Sequence, residues 1–280
     1  MRNRRPVTTS DARRPASIRV VLAQLAPKPR DLAANAHRVR TVLRDHHDAD
    51  LAVFPELFLT GYQTDNLSEI AVHADGPEMQ ELIDAGQEAG TSIIVGFVEA
   101  GRHGVTNSLA CIDHRTGTIH IYRKTHLFGH ERAVFTAGHH LSVVELAGIR
   151  IAPLVCFDIE FPEPARTLCG QGADLIVSVA ANMDPYYSDH ELASRARALD
   201  NRTPHLYINR PGHESGLDFV GGSRVIASDG TVLAQAGRDE EMIEYPVDLR
   251  GNLGGSDVDY LDQLRPELYS IPRRGPARQS

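Results

Sequence analysis

IRIAPLVCFDIEFPEPARTLCGQGADLIVSVAAN (149–182) reads as an apolar strand, a short helix and a second apolar strand. Alternation of short apolar runs with helical stretches indicates α/β layering. Working outward, SIRVVLAQL (17–25) reads as a first strand. Asp31 then caps a helix to about residue 47, with Leu32, Val39, Val42 and Leu43 on its buried face. ADLAVFPE (49–56) follows as an apolar strand ending in an acid, and Pro77 suits the first turn of a helix that closes at Gly90. SIIVGFVEA (92–100), VTNSLACID (105–113) and TIHIYRK (118–124) read as strands, the last two joined by the hairpin-like HRTG. Ser188 and Glu191 have capping-box spacing at the head of a helix to about Asn201. HLYINR, GGSRVIAS, TVLAQAG and EMIEYPVDL complete the run of strands. ADLAVFPE and ADLIVSVAAN echo each other, each preceded by a helix, which points to two packed sheets with helices outside. Pro153 removes one ladder donor and implies an edge or irregular position for its strand.

The 280 residues suffice for one large core. The expected division is a tail over 1–16, one domain over 17–250 and an arm over 251–280 that crosses a surface or a partner subunit. A formal charge of −8 argues against nucleic acid or an anionic membrane as a main partner. No apolar run approaches the roughly 18 residues needed to cross a bilayer. MRNRRPVTTSDARRPA is rich in Arg but lacks the apolar segment of a secretory signal, so a disordered tail is expected, with a targeting segment as the alternative. Cys111, Cys156 and Cys169 are odd in number and irregularly spaced, a poor disulfide framework, so a cytoplasmic protein is expected.

Three reactive residue types end three apolar strands: Glu56 closes LAVFPE, Lys124 closes IHIYRK and Cys156 closes IAPLVC. Side chains at strand ends can converge on one rim of a sheet, where α/β proteins tend to place their sites. Taken singly, each has a plainer reading. Cys156 suits a small buried hydrophobe, and Glu56 with Lys124 suits an ion pair. His126 and His130 are four apart, as a metal pair on a helix is, but no acid-and-His cluster completes a ligand set. No residue spacing suggests a phosphate loop, and no single His stands out as the base of a Cys–His pair.

FPELFLTGY (54–62), YRKTHLF (122–128) and CFDIEFPE (156–163) together resemble the signature segments of the nitrilase superfamily of carbon–nitrogen hydrolases. Their order and spacing match, and the similarity runs from about residue 17 to about 250. It includes ANMDPYYSDH, and within the superfamily NMDPYY and the tail DYLDQL are similar to segments of bacterial amidases acting on small carboxamides, including stereoselective ones. The resemblance implies a four-layer α–β–β–α sandwich, a homodimer or larger assembly, and a small-molecule amide substrate. It also implies chemistry without metal or organic cofactor. On that likeness Cys156 is the nucleophile, Glu56 the base, Lys124 an oxyanion donor with the Phe157 backbone N–H, and Glu131 a second carboxylate beside the Lys. Tyr62, Asn182 and Tyr186 join the substrate-binding or oxyanion groups, although a plain loop role suits Tyr186 and its neighbour Tyr187 as well. Phe157 stands where the family often has Tyr, and Asp200 where Glu is common. Hydrolysis of an N-carbamoyl compound, a nitrilase activity, and an inactive scaffold are the alternatives.

Overall fold

The computed structural model describes residues 15–102, 104–250 and 260–269. In chain order the elements are β1 (Ser17–Gln24), α1 (Leu32–Asp45), β2 (Leu51–Val53), α2 (Pro77–Ala89), β3 (Ser92–Gly101), β4 (Gly104–Ile112) and β5 (Ile119–Arg123). There follow α3 (Glu131–Val134), β6 (Val144–Leu146), β7 (Ile149–Val155), α4 (Pro162–Gly170), β8 (Leu175–Ala180), α5 (Tyr187–Asn201) and β9 (His205–Asn209). The last strands are β10 (Pro211–Glu214), β11 (Leu217–Val220), β12 (Arg224–Ile226), β13 (Val232–Gln235) and β14 (Glu241–Asp248).

They build two six-stranded sheets, ordered β14-β1-β2-β3-β4-β5 and β13-β12-β9-β8-β7-β6, plus the small β10–β11 hairpin. Each large sheet has a parallel centre, β1-β2-β3 in one and β7-β8-β9 in the other. The echo between ADLAVFPE and ADLIVSVAAN is thus the middle strand of each half. Alternate residues of one strand enter two different cores. On β1, Val21 and Ala23 pack with Val39 and Leu43 of α1 and Leu82 of α2. Val20 and Leu22 instead face Leu154, Val177 and Ile208 of the other sheet. Helices α4 and α5 cover the outer side of that second sheet. The architecture is the four-layer α–β–β–α sandwich, and burial on both faces explains why the strands show no polar alternation.

Local signals account for most helix ends. Asp31 accepts from the Ala34 N–H at 3.0 Å, and Pro77 opens α2, which ends on Gly90 at a φ of 70°. At α5 the expectation fails. Its cap is Tyr186, without a side-chain bond, and Ser188 lies inside the helix. A preceding turn fixes the start instead, since Tyr186 N–H donates to Met183 O at 2.9 Å and its carbonyl accepts from the Asn182 amide at 3.1 Å, and Asn209 of β9 anchors that turn by accepting from Asn182 N–H at 2.7 Å. Pro153 is not on an edge strand, because β7 lies between β6 and β8. It does sit past the last β6 pairing at Ile151, where β7 has a ladder on one side only. The expected strand at 49–56 shortens to Leu51–Val53, and β6, β10 and β11 are additions to the sequence reading.

The expected tail lies, through residue 14, outside the described residues, as does the expected arm except 260–269. In that stretch Tyr260 sits under the Arg202 guanidinium, 4.2 Å from ring centroid to Cζ. No helix among the described residues is long and apolar enough to cross a membrane.

His205 ties the second sheet to its covering helix. Its Nδ1 lies 2.8 Å from Ser194 O on α5 and its Nε2 lies 2.6 Å from Ser178 Oγ on β8. Burial lowers its pKa from the ordinary 6.5 to about 4. Between those values the unfolded chain takes up a proton that the folded chain does not, so this contribution is present above pH 6.5 and lost as pH falls toward 4. It amounts to about 3 kcal/mol. Urea unfolding at pH 7, 5.5 and 4.5 should show a steeper acid loss in the wild type than in His205→Gln. Equal slopes would remove His205 from the acid response.

Candidate active site

Glu56 sits three residues beyond β2, in a turn laid against β3. Phe54 N–H donates to Ile94 O at 2.8 Å and Leu59 N–H to Gly96 O at 3.0 Å. Gly96 permits this approach, since a Cβ there would lie 2.2 Å from Leu57 N. The Glu56 carboxylate is fully buried, and three donors reach it. Asn107 Nδ2 and Lys124 Nζ donate to Oε1, each at 2.7 Å, and Ala181 N–H donates to Oε2 at 2.7 Å. These partners come from β4, the end of β5 and the end of β8.

Lys124 directly follows β5, and its main chain is held on both sides. Its N–H donates to Asn107 O at 2.9 Å, and its carbonyl accepts from Gly138 N–H at 2.8 Å. Its ammonium bridges the two acids, 2.7 Å from Glu56 Oε1 and 2.8 Å from Glu131 Oε2. Glu131 opens the short α3, accepting from Phe128 N–H at 2.9 Å and the Tyr62 hydroxyl at 3.1 Å. All three charged groups are at most 1 % exposed. Burial alone would lower Lys124, but Glu131 and Glu56 outweigh it and hold the ammonium well above its ordinary range. Burial raises the Glu131 carboxyl, and Lys124 offsets this only in part.

Cys156 is the first residue of the 3-10 turn Cys156–Glu160 after β7, with a φ of 46°. An L-residue there costs about 1 kcal/mol, so the surroundings must hold it. Asp158 supplies much of that hold. Its Oδ2 accepts from Val155 N–H at 3.0 Å and the Tyr122 hydroxyl at 2.8 Å. Its Oδ1 accepts from Thr125 Oγ1 at 2.7 Å and His126 N–H at 2.9 Å, which ties the turn to the Lys124 loop. His126 Nδ1 also lies 2.9 Å from this carboxylate, and the ring stacks on Phe161. The Cys156 thiol is raised well above its ordinary value, by burial first and then by the charge of Glu56. Its resting form at neutral pH is the protonated thiol.

The thiol and Lys124 face a pocket walled by Tyr62, Phe128, Phe157, Met183 and Tyr186. Phe128 meets Phe157 and Tyr186 edge-on, both at 5.3 Å between centroids. Behind Tyr62, Phe219 lies edge-on at 5.6 Å with the Arg210 guanidinium 4.1 Å above its ring. Glu214 of β10 accepts from both Arg210 and Gln63, so the β10–β11 hairpin buttresses that wall.

Sequence reasoning places Glu56, Lys124, Glu131, Cys156, Phe157, Tyr62, Asn182 and Tyr186 around one site, and the structure brings them all to this pocket or its immediate backing. The Asn182 amide is otherwise engaged. Its Nδ2 donates to Tyr186 O at 3.1 Å and its Oδ1 accepts from Met183 N–H at 3.0 Å. Asn107, the Ala181 N–H, Glu160 and His190 were missed. Asn107 left a signal: a polar side chain inside an apolar strand needs a partner. A backbone N–H leaves none.

The family model for carbon–nitrogen hydrolase matches residues 19–251. A hydrolase from the pqqF 5′ region of Pseudomonas protegens is 40% identical over 260 residues, covering 90% of this chain and 91% of its own. An (R)-stereoselective amidase of a Pseudomonas species is 35% identical over 253 residues, 89% of this chain and 92% of that one. Among solved structures, an amidase from a Nesterenkonia species superposes with a TM-score of 0.80 at 26% identity, covering 92% of this chain and 98% of its own. One variant of that amidase carries the acetamide moiety of fluoroacetamide, added covalently at its active-site cysteine.

Proposed function

Given that the chain belongs to the carbon–nitrogen hydrolase family, we propose that it hydrolyses a small carboxamide to a carboxylic acid and ammonia through a thioester on Cys156. One observation carries the reading: a buried ammonium held between Glu56 and Glu131, beside a strained cysteine that opens into a small pocket. The covalent cysteine adduct on the Nesterenkonia amidase supports the choice of nucleophile.

A thiol raised by burial needs a base at the moment of attack. Glu56 fills that role, taking the Cys156 proton as sulfur attacks the amide carbon, a contribution of roughly 100- to 10,000-fold. Ala181 N–H, which bonds Glu56 and also reaches the Cys156 sulfur, keeps the two groups together. Lys124 and the Phe157 N–H stabilise the tetrahedral oxyanion, each such donor being worth about 3 kcal/mol. Glu56 returns its proton to the amide nitrogen, the C–N bond breaks, and ammonia leaves. A water then gives its proton to Glu56 and its oxygen to the thioester carbon. The C–S bond breaks, the carboxylic acid departs, and the Glu56 proton goes back to the sulfur. Glu131 positions Lys124, and Tyr62 positions Glu131.

A pocket closed in by Tyr62, Phe128, Phe157 and Tyr186 suits a small acyl group. Cys111, Cys156 and Cys169 are all unpaired and buried, which suits a reducing cytoplasm. Leu192 and Leu199, 72% and 38% exposed and seven residues apart on α5, support assembly of like subunits. The test is ammonia release from matched amides, N-carbamoyl compounds and nitriles. Amides should turn over best; carbon dioxide alongside ammonia points to carbamoyl hydrolysis, and turnover of nitriles above amides points to a nitrilase. Either result would overturn the amidase assignment.

A further inference from the structure

We propose that the pocket selects carboxamides by charge, accepting acyl groups that are uncharged or carry an amine and excluding those with a second carboxylate, and that Glu160 sets this selectivity. The proposal rests on the hydrolase reading and narrows its substrate class.

Glu160 ends the same 3-10 turn that Cys156 begins, and its side chain lines the same pocket while remaining 28% exposed. His190 of α5 lines the pocket too, with its Nε2 3.3 Å from Glu160 Oε1. The far nitrogen of that ring, Nδ1, is 2.9 Å from the Tyr207 hydroxyl. With Nδ1 engaged by Tyr207, the ring turns Nε2 toward the Glu160 carboxylate, so His190 is committed to Glu160.

The pocket opens into a wider vestibule lined in part by His130, Glu131, Asp184 and Leu217. Of the described side chains lining either space, only Lys124, His130 and His190 can carry positive charge. Lys124 is bonded to two carboxylates, His190 faces a third, and His130 lines only the vestibule and not the pocket that Glu160 lines. A substrate carboxylate entering this pocket would therefore meet Glu160 without a cation to pair it. The neutral end of a simple amide meets no such repulsion, and an ammonium gains a partner. Rejection through an unpaired charge is a common route to specificity.

The experiment compares kcat/KM for butyramide, succinamate and β-alaninamide. In the wild type, succinamate should fall at least about tenfold below butyramide, the size of effect that like charges in a site produce. β-Alaninamide should equal or exceed butyramide. In Glu160→Gln the ratio of succinamate to butyramide should rise about tenfold and the β-alaninamide preference should fall. Succinamate within threefold of butyramide in the wild type, or ratios unmoved in Glu160→Gln, would overturn the proposal. Kd values for the same compounds on Cys156→Ala should follow the same order. Failure of every amide to release ammonia would sink the hydrolase reading, while that binding order would still decide the charge selectivity.

Discussion

Cys156→Ala should release no ammonia from any amide that the wild type hydrolyses, a loss of at least about 10,000-fold, as removal of a nucleophile produces elsewhere. The fold should survive. Alanine keeps the Cβ, so the left-handed backbone at 156 is strained to the same degree as before. The lost thiol also leaves no buried group stranded, because Ala181 N–H already donates to Glu56. Intact-mass measurement during turnover should show an acyl adduct on the wild type and none on the variant. Retained turnover in Cys156→Ala would end the thioester mechanism. An absent adduct across a broad amide panel, with no ammonia, would favour a scaffold that has kept the fold without the reaction.

Lys124→Met carries the second large effect, and it has two parts that need separating. Loss of an oxyanion donor should lower kcat about 100- to 1,000-fold. Loss of the cation also leaves Glu56 and Glu131 buried beside each other, and breaking a buried pair of this kind costs about 3–5 kcal/mol of stability. Urea unfolding reads the second part, and steady-state kinetics the first. Adding Glu131→Gln to Lys124→Met removes one of the two stranded acids. Stability should recover in the double variant while kcat stays low. Recovery of both would make Lys124 a clamp for the acids rather than a group that touches the reacting oxygen.

The two charged bridges of Lys124 also show where sequence reading succeeds and where it stops. Glu56, Lys124 and Cys156 each follow an apolar strand, and a reactive residue at such a place stands out in one dimension. Glu131 needed the family likeness, because an acid at a loop–helix junction is an ordinary surface feature. Asp158 was visible beside Cys156, but not its bonds to Tyr122 of β5 and to Thr125 and His126 of the loop after it, more than thirty residues away. Glu160 carried no signal at all: its meaning depends on His190 and Tyr207, brought beside it by α5 and β9. The misplaced start of α5 has the same origin. Ser188 and Glu191 satisfy a local pattern, yet a turn anchored through Asn182 to Asn209 of β9 places the cap two residues earlier, at Tyr186.

By itself the sequence determined the alternation of strands and helices, the doubled plan of two sheets and the three residues that end their strands. Those features rest on local propensity and on apolar runs, which act between neighbours in the chain. Tertiary structure alone decided which carbonyl, amide and carboxylate meet at Lys124, that Cys156 takes a left-handed turn, and which charges line the pocket. These depend on strand order and register, since parallel neighbours are joined through long crossovers and their end residues meet only when the sheets close. A backbone N–H such as that of Ala181 has no side chain to announce it, and only the packed fold gives it a task.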